Sequence, residues 1–462
     1  MASLEKSLLL VCILVMVYMA FYSLPHNNDH EGIPKPKQLR CNDQYPCQNG
    51  CCSKSGICGV GPDYCSTDNC IDCRGRIVGR PRCEISLLNR YVGYYELWNG
   101  DRPCNRFSGH KIPYATYAHI NLAFVTINPD TFEVNPIHAP HAAQTKPITQ
   151  RKNYDRDIRV FVTSVAYQKT IGESTTPPVF LKSLTSFLST YDIDGVDINW
   201  EHPDGSTDDY ENLPRLLQNI RATLSMTAGR YGLSMTLPVS LPALHNYNLR
   251  RLTQHVDYFN LMPVDLHTQL PRDGDTWKGE TLGPVVNMTQ VSGAVDLLWQ
   301  NHIAPYDVNL GLALYGSSLV PEDPACVRPG CPVARGAAPG YSSRRRGMLM
   351  NSEIQDLMNH EPHEWLYGTR HHSHDWVTLQ PPLLDTDAGV KIAMNEKQWI
   401  AYDDWETLKL KLDFARKSCF GGVTAWAITH DTYNGDYAKI LDCLLVKRRK
   451  SLGYHYCDDI LI

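Results

Sequence analysis

Eight consecutive residues concentrate the chemistry of this chain: Asp194-Gly195-Val196-Asp197-Ile198-Asn199-Trp200-Glu201. Side chains alternate along a strand, so Asp197, Asn199 and Glu201 are expected on one face and Val196, Ile198 and Trp200 on the other. The apolar face suits packing under helices. The polar face gathers two carboxyls and an amide, with Glu201 at the C-terminal end of the strand, where parallel barrels do their chemistry. Carboxyls held close raise one another's proton affinity, and one kept protonated near neutral pH can serve as a general acid. The bland alternative is an acidic edge strand or a polar turn, but a buried apolar strand seldom carries three such residues without a use for them. Asp197, Asn199 and Glu201 are therefore candidate catalytic residues, and Asp194, which opens the same acidic run, is counted with them.

An acidic strand of this kind needs a scaffold that buries it on both sides. From about Tyr91 the sequence alternates short β-rich runs with longer amphipathic stretches. Strands are expected at Tyr91–Tyr95, Tyr117–Val125, Arg159–Val165, Asp192–Glu201, Gly232–Val239, Val256–Val264, Val308–Tyr315 and Gly421–Ile428. The connections carry helical patterns, such as Tyr210–Met226 and Val291–Asn301. Eight strands with crossovers predict an α/β protein, a (β/α)8 TIM barrel over residues 85–445. The gap of about a hundred residues before the last strand exceeds one crossover helix and predicts a small inserted subdomain.

The remainder of the chain reads differently. Of 462 residues, 16 are cysteine, and eight of those fall between Cys41 and Cys73. So short a segment cannot bury enough apolar surface to fold unaided, and its vicinal Cys51-Cys52 pair suits tetrahedral zinc poorly. A disulfide-rich module over residues 41–73 follows, which requires an oxidising compartment. Residues 1–24 hold an 18-residue apolar run from Ser7 to Leu24 behind Lys6, read as a signal peptide or a retained signal anchor. Residues 25–40 read as a linker and 446–462 as a basic tail. A net charge of −5, from 44 basic and 49 acidic residues, argues against a nucleic-acid ligand. Cys326 and Cys331 are close enough to pair across the intervening Pro-Gly turn. Beyond Cys12 this leaves Cys83, Cys104, Cys419, Cys443 and Cys457, an odd number, so one thiol is expected to stay free. Asn287-Met288-Thr289 is a glycosylation sequon. His360-Glu361-Pro362-His363 has the wrong spacing for a zinc-protease helix, and His371, His372 and His374 read as a solvated loop, so no metal site is expected.

The acidic strand resembles the D-G-x-D-x-D-x-E signature of glycoside hydrolase family 18, the chitinases. Further segments, among them VGYYELWNGDRPC, HINLAFVTINPDTFEV, DYFNLMPVDLH, DPACVRPGCP and GGVTAWAI, resemble the fungal chitinases related to the killer-toxin α-subunit. The resemblance spans Tyr91–Ile428. It implies hydrolysis of β-1,4 links between N-acetylglucosamine units by a substrate-assisted retaining mechanism, an exception to the two-carboxylate scheme, with no metal or organic cofactor. On that resemblance Glu201 protonates the glycosidic oxygen and Asp197 supports the neighbouring carboxyl. Trp426 floors the subsite of the distorted sugar, and Tyr94, Met262 and Asp265 line it.

Three departures from the family pattern thin this machinery. Asn199 stands where the family has an aspartate, Val264 replaces a tyrosine, and the third strand lacks an S-x-G-G run. Loss of one preorganised electrostatic group can cost on the order of 10² to 10³ in rate. The expectation is a slow hydrolase, and the alternative a chitinase-like lectin that holds chitin oligosaccharides in the same groove. The cysteine module resembles a hevein-type chitin-binding domain. That resemblance implies the pairs Cys41–Cys52, Cys47–Cys58, Cys51–Cys65 and Cys70–Cys73, and sugar contacts from Ser53, Ile57 and Tyr64, with Ser55 and Ile57 where aromatics are usual. The expected whole is a secreted or membrane-tethered monomer whose partner is chitin, touching a membrane only through its N-terminal segment.

Overall fold

The structure, a computed structural model, describes residues 41–42, 51–56, 58–59, 70–72, 87–102, 104, 106–113, 116–165, 176–200, 207–227, 231–263, 280–359, 381–394 and 398–445. All of them belong to the compact unit Arg40–Ile462. The proposed signal or anchor, linker and basic tail, and the histidines at 360–374, lie outside the described residues.

Eight parallel strands close into a barrel: β1 (Arg90–Glu96), β2 (His119–Thr126), β3 (Arg159–Val165), β4 (Gly195–Asn199), β5 (Gly232–Pro238), β6 (Tyr258–Met262), β7 (Val308–Ala313) and β8 (Gly422–Trp426). Each pairs with its neighbours in chain order, and β8 pairs with β1 to complete the circle. All eight match the expected strands. The acidic strand is shorter than Asp192–Glu201: Asp192 has φ 52°, a left-handed turn that delays the extended chain until Gly195.

Alternation along these strands divides the core. Val160, Val162, Val196, Ile198, Leu233, Met235, Phe259, Leu261, Leu310, Leu312, Val423 and Ala425 are buried in the large cluster that also takes in helix residues Leu184, Leu217 and Leu412. Trp200 joins the same layer, as its parity requires. Facing the other way, Val92, Tyr94, Ala123, Phe161 and Tyr258 form a separate cluster inside the barrel. Phe161 fills the lower interior so closely that a Cβ on Gly232 would sit 2.3 Å from its ring, and one on Gly195 2.7 Å. Glycine at both positions is what admits the phenyl group.

The expected insertion lies between β7 and β8. It is a six-stranded antiparallel sheet built from Tyr315–Pro321, Val333–Gly336, Met348–Met350, Leu383–Asp385, Val390–Met394 and Trp399–Tyr402. Its own apolar cluster centres on Leu319, Val390 and Trp399, and Cys326 is bonded to Cys331 within it. A helix at Trp405–Lys417, opened by an Asp404–Thr407 capping box, leads back to β8.

Toward the N-terminus, Cys51–Ser53 pairs antiparallel with Cys58–Gly59 and with Cys70–Asp72. Cys41 is bonded to Cys52, and Cys51 and Cys70 are also in disulfides. Cys47, Cys65, Cys73, Ile57 and Tyr64 lie outside the described residues. Of the five cysteines left over, Cys419 and Cys443 are each in a disulfide and Cys104 is a free thiol.

Candidate active site

Asp197, the third residue of β4, points into the barrel and is completely buried. An unpaired carboxylate there would cost on the order of several kcal/mol. Four strands answer with donors. Tyr94 Oη (β1) and Thr163 Oγ1 (β3) donate to Oδ2 at 2.8 and 3.2 Å. Ser234 Oγ (β5) and Asn260 Nδ2 (β6) donate to Oδ1 at 2.6 and 3.3 Å. Burial pushes the Asp197 carboxyl above its ordinary range, and the four donors work against that push. Burial and the neighbouring carboxyl likewise drive the Tyr94 hydroxyl well up, so it stays a donor.

Two residues further along β4, Asn199 ends the strand half-buried. Met262 ends β6 and Trp426 ends β8, and both are also partly exposed. The Trp426 ring stacks on Phe124 at 5.5 Å and lies 5.2 Å from Tyr94. Phe124 in turn stacks on Trp98 at 5.6 Å. The C-terminal end of the barrel thus presents a row of aromatic faces beside a buried, hydrogen-bonded carboxyl.

The chain just beyond Trp426 is fastened from β1. Glu96 Oε2 accepts from Thr429 Oγ1 at 2.6 Å, pairs with His430 Nε2 at 3.0 Å, and is paired with Arg102. Arg102 Nη1 also donates to the Thr429 carbonyl at 2.7 Å.

Asp194 is not brought to this end of the barrel. It precedes β4, where its Oδ2 accepts from the Val160 N–H at 2.8 Å and its Oδ1 meets Lys152 Nζ at 3.2 Å. Asp257, before β6, does the same job for the Leu233 N–H at 2.8 Å. Both carboxyls tie strand starts together at the N-terminal rim, which gives Asp194 a structural task away from Asp197. Glu201, Val264 and Asp265 lie outside the described residues.

Several site residues escaped the sequence reading. Thr163, Ser234 and Asn260 sit on strands with no charged signature, and only their parity within β3, β5 and β6 could have pointed them inward. Trp98 and Phe124 stood in quoted motifs without a role.

Residues 90–431 match the model of glycosyl hydrolases family 18. The chain belongs to that family.

Within family 18, the curated relatives include the Probable chitinase LysM11 of Penicillium expansum, 24% identical over 370 residues, covering 73% of this chain and 32% of that protein. The Killer toxin subunits alpha/beta of Kluyveromyces lactis are 24% identical over 334 residues, covering 67% of this chain and 28% of that one. The chain thus spans 28–32% of the length of the curated relatives named here. Among solved structures, catalytic domain 2 of the Ostrinia furnacalis Group II chitinase superposes with a TM-score of 0.64 at 20% identity, over 77% of this chain and 96% of that one. Human YKL-39, a pseudo-chitinase with retained chitooligosaccharide binding, superposes with a TM-score of 0.65 at 20% identity, over 79% and 100%. At these identities the structural likeness is one of fold.

Proposed function

We propose that this family 18 barrel cleaves β-1,4 links between N-acetylglucosamine units of chitin, slowly, by a substrate-assisted retaining mechanism. The observation that carries the reading is the buried Asp197, held by four donors two residues below Asn199 and beside the Trp426–Phe124 faces. In this reading a sugar ring lies against Trp426, with Tyr94, Met262 and Asp265 around it. Glu201 protonates the leaving oxygen, and the substrate's own acetamido group attacks the anomeric carbon. Asp197 steadies the polar face of β4. Asn199 accepts from the acetamido N–H but brings no negative charge to offset the cationic ring, which slows the reaction. No metal or organic cofactor enters the scheme.

Asn199 also favours a second reading, a lectin that holds chitin oligosaccharides without cutting them, as YKL-39 retains binding. In either case the residue 41–73 module adds a chitin contact through Ser53, Ile57 and Tyr64, and the chain acts outside the cell, secreted or held by its N-terminal segment, as a monomer.

Hydrolysis of a chitin oligosaccharide by wild type, Asn199→Asp and Glu201→Gln decides between them. Turnover raised by the first variant and abolished by the second supports the enzyme. Saturable binding with no turnover in wild type leaves the lectin.

A further inference from the structure

A chain of hydrogen bonds runs through the barrel from its N-terminal rim to Asp197. Arg90, the first residue of β1, donates from Nε to Asn309 Oδ1 (β7) at 3.0 Å. Asn309 Nδ2 donates to Asn260 Oδ1 (β6) at 3.0 Å. Asn260 Nδ2 then donates both to Tyr94 Oη at 3.0 Å and to Asp197 Oδ1 at 3.3 Å. Asn260 and Asn309 are completely buried. The guanidinium itself is built in: it lies 5.0 Å from the ring centroids of both Tyr258 and Tyr306, and it donates to the Tyr306 carbonyl. A Cβ on Gly421 would come within 2.1 Å of Arg90 Nη2.

The direction of this chain follows from its first member. A primary amide can present either end, so two amides in series could run either way. Guanidinium cannot accept. Its N–H requires the oxygen of Asn309, which turns the Asn309 NH2 toward Asn260, which turns the Asn260 NH2 toward the site. Tyr94 Oη accepts from that NH2, so its own proton goes to Asp197. We propose that Arg90 is a positioning residue of the site: by fixing the sense of this relay it keeps every group on β1 and β6 that reaches Asp197 a donor, and so holds Asp197 as an acceptor. The proposal rests on reading this end of the barrel as the chitin site.

The groups around Asp197 leave that role open for Arg90. Thr163 from β3 and Ser234 from β5 are neutral hydroxyls that can turn. Tyr94 from β1 and Tyr258 from β6 are titratable, and burial pushes both phenols up, so they stay neutral. His119 from β2 packs on Tyr258 and Phe161, and burial pushes its imidazole down to about 4. Arg90 is the cation joined to Asp197 through these described contacts.

The test is a titration of the Asp197 carboxyl by carbon NMR, in the full chain labelled at aspartate carboxyl carbons and assigned with Asp197→Asn. In Arg90→Gln, whose amide can accept as well as donate, the Asp197 midpoint rises by about one pH unit, roughly a tenfold gain in proton affinity. In Arg90→Lys, a donor-only cation, it stays within a few tenths of wild type. A midpoint unmoved in Arg90→Gln overturns the proposal, as does an equal rise in Arg90→Lys. Should Arg90→Gln not fold, Asn309→Asp replaces it. Its carboxylate accepts from both sides, reverses Asn260 and turns an oxygen on Asp197, so the midpoint rises, and an unmoved midpoint is again fatal. The readout needs no turnover, so a chain that proves to be a lectin leaves the result intact.

Discussion

Glu96 on β1 and His430 beyond β8 meet at 3.0 Å in the protein interior, so the segment that follows Trp426 is pinned to the strand that bears Tyr94. Burial alone would push the Glu96 carboxyl up, but His430, Arg102 and Thr429 outweigh it and hold the carboxyl at about 2. Unfolded, the same group takes up its proton near 4.5. Its folded value lies below its unfolded one, so its contribution is complete above pH 4.5 and is lost as pH falls from there toward 2. That loss amounts to about 3 kcal/mol. Urea midpoints measured across this window should fall more steeply for wild type than for Glu96→Gln, and parallel slopes would remove Glu96 from the account.

Tyr94→Phe deletes the 2.8 Å donor to Asp197 Oδ2 and leaves Thr163 as its described partner there. A hydrogen bond to a charged group is worth about 1.5–3 kcal/mol. The variant should unfold earlier by that amount in a denaturant titration, and any chitin hydrolysis should fall about tenfold to a hundredfold. A variant as stable and as active as wild type would show that Asp197 does not depend on Tyr94.

Phe161 packs against two glycine backbones, an arrangement that small side chains cannot replace. Phe161→Ala should cost about 3–5 kcal/mol because the rigid strands around it cannot close the gap. Gly232→Ala should be as damaging from the opposite direction, since the new methyl meets the ring. Calorimetry on both variants, and on the pair combined, should find the double change less harmful than the two single costs added.

Trp426→Ala removes the central ring of the aromatic row, which touches both Phe124 and Tyr94. Stacking of this kind is worth roughly 0.5–1.5 kcal/mol beyond the area covered. Oligosaccharide affinity, measured by isothermal titration on the full chain, should drop about tenfold or more. Unchanged affinity would place the sugar elsewhere.

The barrel was legible because each of its strands is an apolar run with its own boundaries, from Arg159–Val165 to Gly232–Pro238. The acidic strand announced itself by charge. Asp194 is expected with the catalytic set because it opens the same acidic run, but it stands three residues before Asp197, where alternation points it off that face, and the structure uses it to bind the Val160 N–H. The supporting network was harder to see. Thr163, Ser234, Asn260 and Asn309 are ordinary polar residues, each on a different strand, and the closed barrel brings the first three to Asp197 with Asn309 behind Asn260. Arg90 reads as the polar edge of a strand until Gly421 and Gly422 make room for it from far along the chain.

The insertion between Ala313 and Gly422 also sets a schedule for synthesis. A ribosome releases seven barrel strands, then the whole antiparallel sheet, before the strand that must pair with both β7 and β1 emerges. Through that interval the nascent barrel carries two unpaired edges. The insertion, whose strands pair with one another and whose Pro332 bridges Thr281 upstream of β7, has these partners already released and can fold during the wait. The aromatic row with Trp426 at its centre is therefore assembled last, at the moment the circle closes.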